Sequence, residues 1–187
     1  MTGRIRVIAG KAKGKRLKAV PGDITRPVMD RVKESLFNIL GHDLLGCRFL
    51  DLFSGTGAVG IEALSRGAAF VQLNDKHVLA VDTIKQNLET TKLEENAKVT
   101  QLDAYVVAAS ENNSDFDYVY IAPPQYKEMW EKAVLEVDKN QELLVDDGWI
   151  LVQIDPMEYK ELELKNFTEF DQRKYGSTLL VFYERNP

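Results

Sequence analysis

Apolar residues along this chain keep two different rhythms, and their alternation predicts a fold before any single residue predicts a chemistry. From Arg4 to Ile8 basic and apolar residues alternate with a period of two. A turn region follows at Gly10 to Gly14, and Arg16-Leu-Lys-Ala-Val-Pro21 completes a small basic β-hairpin within residues 1–24. Over 31–40 the period lengthens: Val32, Leu36, Phe37 and Leu40 share one helical face, and Gly41 ends the helix. Beyond it, strands predicted at 48–53, 70–75, 99–102, 118–122 and 149–155 are interleaved with helices at 57–66, 78–91 and 127–137. Helices between strands return the chain to the same end of a sheet, so the sheet is parallel. The last two apolar stretches, 162–167 and 178–183, are joined by Tyr175-Gly-Ser177 without a helix, so the final strand should be antiparallel. The expectation is an α/β fold of seven strands, mostly parallel, with helices on both faces. It forms one domain, a basic extension over 1–24 and a core over 25–187.

Composition adds little to this picture, and charge adds more. With 187 residues and 44% apolar content the chain suits a soluble domain, and no apolar run approaches the roughly 18 residues of a membrane span. The N-terminus lacks the apolar stretch of a secretory signal, which points to the cytoplasm. Cys47 is the single cysteine and precedes the apolar Phe49-Leu50, so it reads as a buried small side chain. With only His42 and His77 beside it, no thiolate or imidazole metal cluster is expected. The net charge of -5 is unevenly divided: residues 1–50 carry 11 Lys+Arg against 4 Asp+Glu, and the remainder 13 against 25. A basic segment on an acidic body suits contact with phosphate through one region; a solvated charged terminus is the plain alternative.

The candidate chemistry begins at Asp51-Leu-Phe-Ser54-Gly55-Thr-Gly57-Ala-Val-Gly60, a glycine loop between a strand and a helix. The glycines alone fit any nucleotide-binding fold, since glycine is needed where a ligand lies against bare backbone. In a NAD site the loop faces a pyrophosphate, which the carboxylate of Asp51 at the strand end would repel. The same carboxylate would accept a bond from an ammonium group, and S-adenosylmethionine has an ammonium and no phosphate. Asp75 and Asp103 end the next two strands, placed for ribose hydroxyls and an adenine amine respectively, with Ala104 leaving room for the ring. Trp130 and Trp149 fit core packing as well as a base contact.

Three stretches resemble a known family: Arg4-Ile-Arg-Val-Ile-Ala-Gly-Lys-Ala-Lys-Gly-Lys-Arg-Leu17, Thr25-Arg-Pro-Val-Met-Asp-Arg-Val-Lys-Glu-Ser-Leu-Phe-Asn-Ile-Leu40, and Asp51 through Gly67. They are similar to the bacterial 16S ribosomal RNA guanine-N2 methyltransferases of the RsmD type. The resemblance implies a Rossmann-like class I methyltransferase, S-adenosylmethionine as cofactor, and 16S ribosomal RNA or the small ribosomal subunit as partner. It also implies that Arg26 lies over the cofactor, with Arg31 close to the target base. Arg4, Arg6, Lys11, Lys13, Lys15 and Arg16 would grip RNA phosphates. A monomer is expected.

One departure from the family pattern stands out. Where the family carries Asp or Asn before Pro-Pro and an aromatic, this chain reads Ala122-Pro123-Pro124-Gln125-Tyr126. Ala122 supplies only backbone to a target amine; the Gln125 carbonyl is a candidate replacement acceptor and Tyr126 a candidate ring to stack on the base. The departure keeps a second reading open, a cofactor-binding RNA-assembly factor with little or no turnover. An NAD-dependent oxidoreductase rests on the glycine pattern alone. A methyltransferase for protein or small molecules shares the fold, and the basic N-terminal segment argues against it.

Overall fold

A computed structural model describes residues 5–22, 29–110, 115–125 and 128–186. Its centre is a seven-stranded sheet: β1 (Arg48–Asp51), β2 (Phe70–Asn74), β3 (Ala97–Thr100), β4 (Phe116–Ile121), β5 (Leu144–Ile154), β6 (Phe167–Tyr175) and β7 (Thr178–Arg185). The spatial order is β3-β2-β1-β4-β5-β7-β6. Strands β1 to β5 pair in parallel, and β7 runs antiparallel to both β5 and β6, the one reversed strand the turn at Gly176 implied. Chain direction across the sheet switches between β1 and β4, and in open α/β sheets the crevice at such a point is where ligands bind.

Among the described residues five α-helices cover the sheet: α1 (Asp30–Leu40), α2 (Ala58–Arg66), α3 (Val78–Thr91), α4 (Ala104–Ala108) and α5 (Met129–Lys139). Alternation along each strand divides the apolar residues between two cores. Phe49, Tyr118, Tyr120, Leu151 and Phe182 face α1, α2 and α3, whereas Leu50, Val119, Ile150 and Val152 face α4 and α5. Cys47 and Trp130 are buried in these cores. No described helix is long and apolar enough to cross a membrane.

One expectation needs correction. The strand expected over 162–167 lies at Phe167–Tyr175; Leu162 and Leu164 belong to a connecting stretch that packs on the second core. Among the described residues the expected N-terminal hairpin closes through one antiparallel bridge, Arg6 with Arg16, flanked by the Val7 N–H to Lys15 carbonyl bond and the Leu17 N–H to Ile5 carbonyl bond. Ile5, Val7, Ala12 and Leu17 are buried, and the segment is fastened to α2. The Ile8 and Ala9 N–H groups donate to Glu62, and Ala12 N–H donates to Ser65 Oγ, which donates in turn to the Ala9 carbonyl. Gly10 has φ +81°, and a Cβ there would lie 1.8 Å from the Ser65 carbonyl oxygen, so this crossing admits only glycine.

Candidate active site

Strands β1, β2, β4 and β5 end around a cavity of about 550 Å³, within the range of roughly 300–1,000 Å³ typical of small-molecule sites. Of the residues singled out from sequence, Asp51, Ser54, Gly55, Asp75, Asp103, Ala104, Ala122, Pro123 and Pro124 all line it. They come from separate stretches of chain and meet because each follows the C-terminal end of a strand. Arg4, Arg26 and Tyr126 lie outside the described residues.

The three acids share the cavity and differ in their bonding. Asp75 Oδ2 accepts from Gly55 N–H at 2.9 Å and Oδ1 from His77 N–H at 2.9 Å, so this side chain pins the glycine loop to the end of β2. Asp103 caps α4: Oδ1 accepts from Tyr105 N–H at 3.0 Å and Oδ2 pairs with Lys76 at 3.1 Å. That backbone bond, with Lys76 beside it, holds the Asp103 carboxyl below the usual range. Each of these oxygens keeps a second lone pair for a ligand. Asp51 is almost wholly buried, and its Oδ1 has no hydrogen-bond partner among the described residues. Burial pushes its carboxyl up to about 7; the neighbouring Asp75 adds to the rise, and nearby Ser54, Gly60 and Phe53 oppose it.

Of the glycines, Gly55 alone lines the cavity, turning with φ +53°. Gly57 and Gly60 are not among its lining residues. A Cβ on Gly60 would lie 2.8 Å from Leu73, and one on Gly57 3.2 Å from the same side chain, so these positions let α2 pack closely on β2.

Two buried asparagines, given no role from sequence, hold the loop ends together. Asn74 donates to the carbonyls of Leu52 and Leu102 and accepts from Thr100 and Leu102, joining the ends of β1, β2 and β3. Asn87, in α3, donates to the carbonyls of Thr56 and Lys18 and accepts from Lys18 N–H, tying the glycine loop to the N-terminal segment. A polar residue among apolar neighbours gives notice of such a tie only when its partners are known. His77, Ser177 and Thr178 also reach the cavity unforeseen. At the end of β4 the Tyr120 hydroxyl donates to Gln153 Oε1 of β5 at 2.7 Å.

Outside the cavity, Arg6, Lys11, Lys13, Lys15, Arg16 and Arg31 are all exposed, with Arg6 paired to Asp30 at 2.9 Å. Behind them lies a buried charge cluster. Lys33 Nζ donates to the Arg6 carbonyl at 2.5 Å and sits 3.3 Å from Glu62, which also pairs with Arg66 at 2.8 Å. Burial lowers the Lys33 pKa, and Glu62 opposes the shift.

A buried carboxylate oxygen without a partner calls for a cation, and a pyrophosphate in the same place would meet repulsion. The residues present therefore suit a nucleoside that brings an ammonium and no phosphate. On a sheet with this order and a reversed β7, that defines a Rossmann-like methyltransferase with S-adenosylmethionine as cofactor. A family model described as conserved hypothetical protein 95 matches residues 5–184, and the chain belongs to that family, the RsmD type. YlbH of Bacillus subtilis is 39% identical over 187 aligned residues, covering 97% of this chain and 99% of that protein. Ribosomal RNA small subunit methyltransferase D of Escherichia coli K12 is 34% identical over 165 residues, 88% of this chain and 78% of that protein. The solved structure of Escherichia coli yhhF matches with a TM-score of 0.86 at 30% identity, over 98% of both chains.

Proposed function

We propose that this protein transfers the methyl group of S-adenosylmethionine to the exocyclic N2 amine of a guanine in 16S ribosomal RNA, in the cytoplasm and as a monomer. The observation that carries the reading is the unpartnered oxygen of Asp51, in one cavity with the Ala122-Pro123-Pro124 strand end. The relatives' names supply the RNA. The cofactor brings a sulfonium methyl group, reactive toward nucleophiles without further activation. The chain's own residues orient the partners: Asp51 takes the ammonium, Asp75 and Asp103 offer lone pairs to ribose and adenine, and Ala104 leaves space for the ring. Ser54 donates to the Asp51 carbonyl at 3.0 Å and stiffens the turn into Gly55. Pro123 and Pro124 hold the base edge at a fixed distance from the strand end. The exposed cations of the N-terminal segment and Arg31 contact flanking phosphates, and the target guanine leaves its stack to enter the cavity. We read Arg4, Arg26 and Tyr126 as further contacts to phosphate, cofactor and base, and residues 1–24 as an extension of a single catalytic domain.

Incubation of the purified protein with methyl-labelled S-adenosylmethionine and undermodified small-subunit RNA should transfer label to guanine. Label-free RNA at stoichiometric enzyme would sink the reading and favour the second one that Ala122 motivates, an RNA-assembly factor that keeps the cofactor and lacks turnover.

A further inference from the structure

Ala122 follows β4 where an amine-directed site needs a hydrogen-bond acceptor, and the adjacent strand provides one. Ile121 pairs with Val152 in the parallel β4–β5 ladder, so the following residues, Ala122 and Gln153, stand side by side, and both line the cavity. The period of two puts Gln153 on the face of Leu151, and the register puts Asp51, Tyr120 and Ala122 on that same face. Gln153 is half-buried. The Tyr120 hydroxyl donates to Gln153 Oε1, and burial of the ring keeps that hydroxyl protonated. The amide is thereby oriented. Its oxygen retains one lone pair, and no other side-chain hydrogen bond joins Gln153 to the described residues. Of the other amides at the cavity, Asn74 is taken up by the Leu52 and Leu102 carbonyls, Thr100 and the Leu102 N–H, and Gln125 has a partner of its own.

We infer that Gln153 is the substrate-positioning residue that replaces the acceptor missing at Ala122. Its Oε1 accepts an N–H of the guanine N2 amine while Nε2 donates to the neighbouring ring nitrogen N3, a two-bond match that only a base with an amine beside an acceptor can make. This turns the nitrogen's lone pair toward the methyl donor. As the N–C bond forms the S–C bond breaks, the sulfonium becomes a neutral thioether, and the proton shed by the nitrogen leaves to water, since an amide cannot hold it. The inference rests on the guanine-amine reading proposed above.

Gln153→Met keeps the length of the side chain and removes both polar atoms. Two unstructured RNA oligomers, one with a single guanine and one with inosine in its place, which lacks the amine, then give a readout independent of turnover. With S-adenosylhomocysteine bound, the unsubstituted protein should prefer guanine roughly tenfold and Gln153→Met should bind both alike. Methyl transfer should fall about 100-fold with S-adenosylmethionine affinity unchanged within twofold, and adding Ala122→Asn should recover at least tenfold of the rate. Transfer by Gln153→Met within threefold of the starting rate would overturn the inference, as would parallel loss of cofactor affinity or no recovery with Ala122→Asn. Failure of the guanine-amine reading looks different: the unsubstituted protein itself would then neither prefer guanine nor methylate it.

Discussion

A carboxylate with one unpartnered oxygen in a cavity wall behaves unlike one that caps a helix, and Asp51 is of the first kind. In the cofactor-free protein burial raises its pKa from about the ordinary carboxylate value to about 7. The folded chain therefore binds a proton that the unfolded chain releases. Its contribution to stability is fully present below the unfolded pKa and lost as pH rises through about 7. A bound ammonium favours the carboxylate and reverses the balance, so cofactor binding should release a proton below pH 7. Affinity for S-adenosylmethionine should rise up to tenfold per pH unit and flatten above 7. Calorimetry in buffers of different ionisation enthalpy measures this. Asp51→Asn should bind roughly 10- to 100-fold more weakly with no such slope, and an unchanged slope in that variant would move the proton to another group. Asp75 and Asp103 stand in the same strand-end positions, and the sequence shows this placement. It does not show that backbone N–H groups occupy those two while one oxygen of Asp51 stays without a partner among the described residues, because the donors come from Gly55, His77 and Tyr105 only once the loops have folded.

At the scale of elements, the N-terminal segment behaves as part of the packed body. Its attachment runs through Glu62, which accepts from two backbone N–H groups and pairs with Lys33 and Arg66 in nearly complete burial. Glu62→Gln would leave Lys33 buried without a counter-charge, and urea unfolding should show a loss of about 3 kcal/mol. Gly10→Ala has to move the Ser65 backbone or the segment itself, at a cost of about 1–3 kcal/mol, and should weaken RNA binding as the segment lifts. A substitution with neither effect would show that the segment does not need α2. The basic and apolar alternation over 4–8 is visible in the sequence, but the partner of its apolar side is not. β6 illustrates the opposite difficulty. It is an edge strand, Phe167 is its one fully buried residue, and the charged Glu169, Asp171, Arg173 and Lys174 that protect an exposed edge erase the apolar pattern by which strands are recognised. Leu162 and Leu164 carry that pattern while packing as loop residues. The interior strands β1, β2 and β4 are buried on both faces and keep adjacent apolar residues, which is why they are legible.

For the molecule as a whole, charge is divided between a basic N-terminal region and an acidic remainder, while the net value is -5. If Lys11, Lys13, Lys15 and Arg16 each neutralise one phosphate, replacing all four with alanine should lower the slope of log affinity against log salt by about 3 for single-stranded RNA. Filter binding across a salt series measures it, and an unchanged slope would place the RNA elsewhere on the surface. The direction of the sheet, the cofactor class and the basic face all follow from patterns in the chain. What those patterns leave open is the chemistry at Ala122, and the central claim, methylation of a guanine amine in the small-subunit RNA, turns on it. Mapping N2-methylguanine in 16S RNA from cells with and without this gene tests that claim most directly. The account predicts one guanine that loses its N2 methyl group in the deletion strain and regains it when the gene returns; an unchanged set of N2-methylguanines would contradict it.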